Sequence, residues 1–114
     1  MKFTSFEDIK VWQMSRDFNI AIFNSFTNCK DYSFKDQLLR ASVSIMNNIA
    51  EGFERGSNPD FKKFLYISKG SAGEVRSMIY LAQGLNYLSP TKSQEFIDLS
   101  LQIAKMLSGL IKVL

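Results

Sequence analysis

The stretch from Gln37 to Gly52 constrains the fold more than any other part of the chain. At 3.6 residues per turn it forms two stripes on a helix. The apolar stripe consists of Leu38, Ala41, Ile45, Ile49 and Gly52. The polar stripe consists of Gln37, Arg40, Ser44, Asn47 or Asn48, and Glu51. Because apolar residues also fill the space between the stripes, we expect this to be the most buried helix, with its polar stripe against a neighbour.

The flanking sequence sets the limits of the first two helices. We expect helix one to begin at Ser5, since Ser5 and Asp8 resemble a capping box. Residues 27–31 are nearly free of apolar side chains and are predicted to form the first loop. Helix two is then predicted from Ser33 or Phe34 to about Phe53.

Two serine and proline signals begin the remaining helices. Ser57-Asn58-Pro59-Asp60 combines a cap, a proline in the first turn and an acidic residue, after Gly56 has ended helix two. Helix three is predicted to end between Gly84 and Tyr87, and Ser89-Pro90 begins helix four. No stretch alternates with period two for long enough to form a strand. The 114 residues therefore predict one all-α domain, an antiparallel up-down-up-down four-helix bundle.

The composition argues against an enzyme. The chain has no histidine and a single cysteine, Cys29, so it lacks the commonest metal ligand and any intrachain disulfide. A di-iron bundle site would need Glu-x-x-His pairs, and no glycine-rich phosphate loop is present. We expect no catalytic residues, no metal and no cofactor. Without a signal peptide or a membrane-length apolar run, we expect a cytoplasmic protein with no membrane partner.

Two groups of polar residues are the candidates for a site. The first is a polar cluster across helices two and three, in which Arg40 would pair with Glu74 or Glu51. It consists of Arg40, Ser44, Asn48, Glu51, Ser71 and Glu74. This cluster is interpreted first as a structural network that fixes the register of the two helices, or as an ordinary solvated face.

The second group is a basic stripe on helix three. Lys62, Lys69 and Arg76 are seven residues apart, and Tyr66 and Tyr80 share their side. Arg55 and Lys63 lie close by in the sequence. Cations that neutralise phosphate beside aromatic rings that stack on bases are typical of RNA-binding surfaces. The competing interpretation is a solvated face of lysines. The net charge of +3 permits a nucleic-acid partner without requiring one.

Two further features point to contacts between subunits or helices. The aromatic set exceeds what the interior of one small bundle requires, and we expect part of it to line a subunit interface. The set consists of Phe3, Phe6, Trp12, Phe18, Phe23, Phe26, Phe34, Phe53, Phe61, Phe64 and Phe96. Gly70 and Gly73 each cost about 1 kcal/mol relative to alanine inside a helix, so we expect close packing against a bulky neighbour to compensate.

Several segments resemble the bacterial four-helix-bundle family named for the 23S rRNA intervening sequence. The matching segments are Phe6 to Gln13, Gln37 to Ile45, Asn48 to Gly52, Phe61 to Leu65, Gly70-Ser71 and Glu74. The resemblance implies an antiparallel bundle assembled as a homopentamer. A related branch, the accessory protein of diversity-generating retroelements, works with a reverse transcriptase and RNA. Met46-Asn47 departs from the small pair that is more usual in the family.

We therefore expect a non-enzymatic homo-oligomer that binds structured RNA, or a nucleoprotein such as a nucleic-acid enzyme, through a basic face. Arg55, Lys62, Lys63, Lys69 and Arg76 would contact phosphate, and Tyr66 would stack on a base. The alternative is a protein-interaction adaptor that uses an exposed aromatic surface and has no specific nucleic-acid role.

Overall fold

The computed structural model describes residues 3–114, and within them four long helices carry nearly all of the regular structure. A 3₁₀ turn, Phe6–Asp8, comes first. The helices follow as α1 Lys10–Ser25, α2 Tyr32–Glu54, α3 Asn58–Gly84 and α4 Pro90–Lys112. None of the described residues forms a strand. The prediction of an all-α four-helix bundle is confirmed.

The serine and proline signals act as expected at both predicted starts. The Ser57 side chain accepts a hydrogen bond from the Asp60 N–H at 3.3 Å, and Ser89 accepts one from the Lys92 N–H at 3.1 Å. Each provides a partner for one of the free N–H groups in the first turn of its helix. Gly56 has a φ of +84°, the left-handed conformation that ends α2 without strain.

The predicted start of helix one at Ser5 is wrong by five residues. The Ser5 hydroxyl donates to the Asp8 carboxylate at 3.2 Å instead of capping a backbone N–H. Two backbone hydrogen bonds, from the Asp8 N–H to the Ser5 carbonyl and from the Ile9 N–H to the Phe6 carbonyl, close a short 3₁₀ turn, and Ile9 then takes an extended conformation with ψ at 118°. This bend buries the Ile9 side chain in the core, and α1 begins at Lys10.

α2 and α3 run antiparallel. The Ser68 hydroxyl donates to the Ile45 carbonyl at 2.7 Å, while farther along α2 the Gly52 backbone lies against Phe64. The partner number on α3 thus falls as the number on α2 rises, as an antiparallel pair requires. Ser68 is fully buried, so its hydroxyl places a hydrogen bond at the centre of this helix pair.

α1 and α4 complete the bundle beside α2 and α3. On α1 and α2, Asn19 accepts a hydrogen bond from Ser42, whereas Phe26 packs against Phe34, so these helices also run in opposite directions. The Phe18 ring on α1 meets the Phe96 ring on α4 edge to face, with centroids 5.8 Å apart. One apolar cluster contains residues of all four helices. No helix within residues 3–114 has the length and apolarity needed to span a membrane.

The apolar stripe of α2 is buried throughout, but the expectation that α2 is the most buried helix is wrong. Seven of its 23 residues are buried, and α4 buries the same number of 23. The reason is the polar stripe, whose members Gln37, Arg40, Asn47 and Glu51 are exposed in the single chain.

Glycines serve close packing at a different place from the one expected. A Cβ added to Gly52 would lie 2.6 Å from the Phe64 Cβ, so only glycine lets α2 approach α3 there. Around Gly70 and Gly73, by contrast, no described atom lies within 4 Å of an added Cβ, apart from the chain neighbours and the nearby backbone of α3 itself. The expected bulky neighbour is absent from residues 3–114 at both positions.

Candidate nucleic-acid interface

α3 presents a basic side to solvent. The helix is 27 residues long and begins at the Ser57 cap. Along it, positions seven residues apart lie on nearly the same side. Lys62, Lys69 and Arg76 align in this way, and Tyr66 and Tyr80 beside them are 57% and 58% exposed. We call these five residues the basic face. The alignment expected from the sequence is therefore present in the fold.

The cations of the basic face have no acidic partner among the described residues. The ion pairs within residues 3–114 are Arg16–Asp17, Arg55–Glu51 and Lys92–Glu95. No carboxylate oxygen therefore lies within 4.0 Å of the charged nitrogens of Lys62, Lys69 or Arg76. Lys69 is exposed, while Lys62 and Arg76 are half-buried, as expected for long side chains whose stems lie along a helix surface. These charges are available to an external anion.

A groove between α3 and α4 adjoins the basic face. Tyr66 and Lys69 line it from α3, and Ser108, Ile111 and Lys112 line it from α4. Its volume is about 220 Å³. Ile111 is buried and forms an apolar side, whereas Lys69 and Lys112 are exposed. Two cations, a tyrosine ring and a hydroxyl group thus lie around one small groove.

Sequence reasoning missed Lys112. The signal was present in the sequence, since Lys105 and Lys112 are seven residues apart on helix four, the same spacing as in the basic stripe. Only the antiparallel packing of α3 against α4 brings Lys112 to Tyr66 and Lys69. Lys105, which is exposed, lies on the same side of α4 as Lys112 because of that spacing.

Arg55 and Lys63, also predicted to contact phosphate, stand apart from the groove. The Arg55 guanidinium bonds to the Glu51 carboxylate at 3.0 Å and lies 4.9 Å from the centre of the Phe64 ring. It therefore covers the turn between α2 and α3. Lys63 is exposed, and its position one residue after Lys62 rotates it by about 100° from the basic face.

The structure brings together three residues of the predicted polar cluster. The Ser44 and Ser71 hydroxyl groups are 2.8 Å apart, and they join α2 to α3. The Asn48 amide donates to the Ser44 carbonyl and to its hydroxyl, both at 2.8 Å. All three side chains are half-buried, so these bonds link the helices at the edge of the core.

The charged members of the cluster are not joined to this network. Glu51 pairs with Arg55, and neither Arg40 nor Glu74 takes part in an ion pair within residues 3–114. The expected pairing of Arg40 with Glu74 or Glu51 is therefore wrong for the single chain. Both Arg40 and Glu74 are exposed, so their charges can stay solvated without a partner among residues 3–114.

The bundle takes up more of the aromatic set than the sequence suggested. Five of the eleven rings are buried, and five more are half-buried. Phe23 is the exception, with 45% of its surface exposed. It lines a groove between α1 and α2 together with Leu39 and Val43. The exposed aromatic surface of the described residues therefore consists of Phe23 and of tyrosines outside this set, namely Tyr32, Tyr66 and Tyr80.

The described residues offer no metal site. No group of three or more His, Cys, Asp or Glu side chains within residues 3–114 is placed to hold an ion. Cys29 is half-buried in the loop between α1 and α2, and its thiol lies 3.9 Å from the Asp31 carbonyl oxygen.

Comparisons with known proteins agree with this fold. A crystal structure of a protein of unknown function from the S23 ribosomal protein family of Bacteroides thetaiotaomicron is similar, with a TM-score of 0.83 and 27% sequence identity. The match covers 90% of this chain and 98% of that one. A search of the curated proteins found no significant match. The family model described as 23S rRNA-intervening sequence protein matches residues 7–109, and the chain belongs to this family.

Proposed function

We propose that this protein is a non-enzymatic, cytoplasmic bundle protein that assembles as a homo-oligomer and binds structured RNA through the basic face. The observation that carries the proposal is a row of one exposed and two half-buried cations, which have no acidic partner among the described residues, beside two exposed tyrosines. Cations that would neutralise phosphate release the counterions held by RNA, which drives binding. Exposed rings add stacking on unpaired bases.

The family name gives independent support. The family is described by the 23S rRNA intervening sequence, and the similar structure is assigned to a ribosomal protein family. Both names associate relatives of this chain with RNA. We extend that association to this protein because its basic face has the chemistry that an RNA ligand needs.

A homo-oligomer, with a pentamer expected from the family, would repeat the basic face around a ring. A net charge of +3 per chain is modest, so one basic face alone would bind weakly. Several faces that contact one RNA raise the overall affinity because each contact after the first is effectively intramolecular. The absence of histidine from the sequence supports the non-enzymatic part of the proposal.

The experiment is fluorescence anisotropy of labelled structured RNA with the purified oligomer at several salt concentrations. We expect the logarithm of affinity to fall linearly with the logarithm of salt concentration. Charge reversal of Lys62, Lys69 and Arg76 together should weaken binding and flatten that slope. Lys30→Glu, at an exposed loop position, is the matched control for Lys69→Glu alone, since both variants change the net charge equally. Unchanged affinity of the triple variant in a folded oligomer, or no binding by the wild type at low salt, overturns the proposal.

A second candidate, the protein-interaction adaptor, is favoured by one observation. The groove lined by Phe23, Leu39 and Val43 is largely apolar and has a volume of about 500 Å³. Phe23→Asp distinguishes the possible uses of this groove. Dissociation of the oligomer, followed by native mass spectrometry, would assign the groove to the contact between subunits. An intact oligomer would leave the groove open to another protein and strengthen the adaptor proposal.

A further inference from the structure

We infer that the groove between α3 and α4 holds one unpaired nucleotide of the bound RNA. Its phosphate would lie between Lys69 and Lys112, and its base would stack on Tyr66. This inference rests on the proposed RNA binding and deepens it, since it names the subsite and predicts a preference for unpaired over duplex RNA.

The charges around the groove fit a phosphate. Lys69 and Lys112 line opposite sides of it, and neither has a carboxylate within 4.0 Å among the described residues. Both are exposed, so their ammonium groups can approach a phosphate without the loss of an existing ion pair. Ser108 adds a half-buried hydroxyl group to the lining, which can donate a hydrogen bond to a phosphate oxygen.

The size and the aromatic ring favour a single nucleotide. The volume of about 220 Å³ is below the range of about 300–1,000 Å³ that encloses a whole drug-sized ligand, so the groove would take the phosphate and sugar while the base lies on the Tyr66 ring at its edge. Tyr66 is 57% exposed at the edge of the groove, so one of its faces is free to stack. Stacking on a side chain requires a base whose face is exposed, which an intact A-form duplex does not provide.

The cations continue beyond the groove in one direction. Arg76 follows Lys69 on α3 by seven residues, and Lys105 precedes Lys112 on α4 by seven. In an antiparallel pair both steps lead the same way, and each spans about 10 Å at 1.5 Å per residue. The two helices therefore form a positively charged track that a single RNA strand can follow from the groove, as single-strand-binding proteins track the backbone.

The test compares two labelled RNAs of equal length, a hairpin with a large loop and a fully paired duplex, by anisotropy with the full chain. We expect the wild type to bind the loop RNA at least tenfold more tightly. Tyr66→Ala should lose most of that preference, and Tyr66→Phe should keep it. Lys112→Glu should weaken the binding of both RNAs and flatten the salt dependence. Tyr32→Ala and Lys30→Glu, both at exposed positions, are the controls.

The outcomes separate the two proposals. Suppose that the wild type binds RNA with a clear salt dependence but Tyr66→Ala and Lys112→Glu behave like their controls. Then nucleotide binding in the groove is ruled out, while RNA binding by the basic face is retained. Equal or tighter binding of the duplex than of the loop RNA also rules out nucleotide binding in the groove. If the wild type binds neither RNA at low salt, both proposals fail. Circular dichroism and native mass spectrometry of each variant establish that it is folded and assembled.

Discussion

The Tyr87 hydroxyl donates a hydrogen bond to the Asp31 carboxylate at 2.7 Å, and this bond joins two connections that are 56 residues apart. Asp31 lies between α1 and α2, and Tyr87 lies between α3 and α4. The other oxygen of the same carboxylate accepts from the Phe34 N–H at 3.2 Å and so caps α2. The Phe34 and Tyr87 rings also meet edge to face, 5.4 Å between centroids. One carboxylate therefore holds together the end of the bundle opposite the groove.

We expect Tyr87→Phe to lower the midpoint of thermal unfolding by a few degrees, because it removes the hydroxyl but keeps the ring contact with Phe34. Tyr32→Phe is the matched control, since Tyr32 is 65% exposed and lies close to the same end. Circular dichroism melts of the three proteins at pH 7 measure the difference. If Tyr87→Phe melts together with Tyr32→Phe, the bond between the two connections adds no stability.

The same bond predicts a pH dependence. The Tyr87 hydroxyl, and then the Phe34 N–H, lower the pKa of Asp31 below its ordinary value of 3.8. The bond to Asp31, and then burial, raise the pKa of Tyr87 above its ordinary value of 10.0. Because the pKa of Asp31 is lower in the folded protein than in the unfolded chain, Asp31 stabilises the fold fully at a pH above its unfolded-state pKa. This stability is lost as the pH falls through the folded-state pKa. Because the pKa of Tyr87 is higher in the folded protein, Tyr87 stabilises the fold fully at a pH below its unfolded-state pKa. This stability is lost as the pH rises through the folded-state pKa.

We therefore expect the stability advantage of the wild type over Tyr87→Phe to be constant from about pH 5 to pH 9. It should shrink below about pH 4 and again above about pH 10. Urea unfolding of both proteins across this range provides the measurement. An advantage that stays the same at pH 3 would contradict the assigned lowering of the Asp31 pKa.

The sequence predicted helix starts well where a side chain alone decides them. Ser57 and Ser89 each accept the backbone hydrogen bond that their pattern indicates. The Ser5 pattern failed because a nearby carboxylate, Asp8, competes for the hydroxyl and the core competes for Ile9. The cap of α2 is Asp31, which the sequence analysis placed in the loop without a role. A local pattern thus predicts a helix start correctly unless the capping side chain finds another partner nearby, as Ser5 does in Asp8, or burial in the core changes the backbone, as at Ile9.

Gly52 and Gly70 should respond oppositely to alanine. Gly52→Ala would place its Cβ 2.6 Å from the Phe64 Cβ and 3.3 Å from the Phe61 ring, and we expect a loss of about 1–3 kcal/mol in the free energy of unfolding. The methyl group of Gly70→Ala meets no described atom within 4 Å beyond its chain neighbours and the nearby backbone of α3, and the variant should gain up to about 1 kcal/mol from its better helix propensity. Chemical denaturation of both variants measures these changes. A stable Gly52→Ala protein would mean that α2 and α3 can separate at this point.

If Gly70→Ala instead weakens the oligomer, the missing neighbour of Gly70 is another subunit. Native mass spectrometry of the same variant shows this directly. The sequence indicated only that two glycines in a helix need a compensating contact. It could not indicate which molecule provides the contact, because a helical pattern defines a face and not the element opposite that face.

In the candidate site, too, features of a single helix could be predicted from the sequence, whereas contacts between helices could not. The basic face could be predicted because all of its residues belong to one helix and follow its period. The groove could not, since Lys112 joins Tyr66 and Lys69 only through the packing of α4. Within the polar cluster, the short side chains of Ser44 and Ser71 meet directly across α2 and α3. The long side chain of Arg40 extends into solvent, where it needs no partner.

Ser71→Ala tests whether that serine pair is structural. The variant removes one of two half-buried hydroxyl groups, while Asn48 still donates to Ser44. We expect a loss below about 1 kcal/mol in the free energy of unfolding and no change in RNA affinity. Ser77→Ala is the control, since Ser77 is exposed on the same helix. A large loss of RNA binding by a stable Ser71→Ala protein would extend the interface to this side of α3.

We expect substitutions in the buried pair of Asn19 and Ser42 to lower the free energy of unfolding more than Ser71→Ala does. The Asn19 amide oxygen accepts a hydrogen bond from the Ser42 hydroxyl inside the core, and the Asn19 amide nitrogen has no partner among the described residues. Ser42→Ala leaves the Asn19 oxygen unpaired as well, so we expect a loss of about 1–3 kcal/mol. Asn19→Leu combined with Ser42→Ala removes the polar groups of both side chains and should recover much of that loss. A double-mutant cycle in urea measures the coupling, and additive losses would show that the two side chains do not act as a pair.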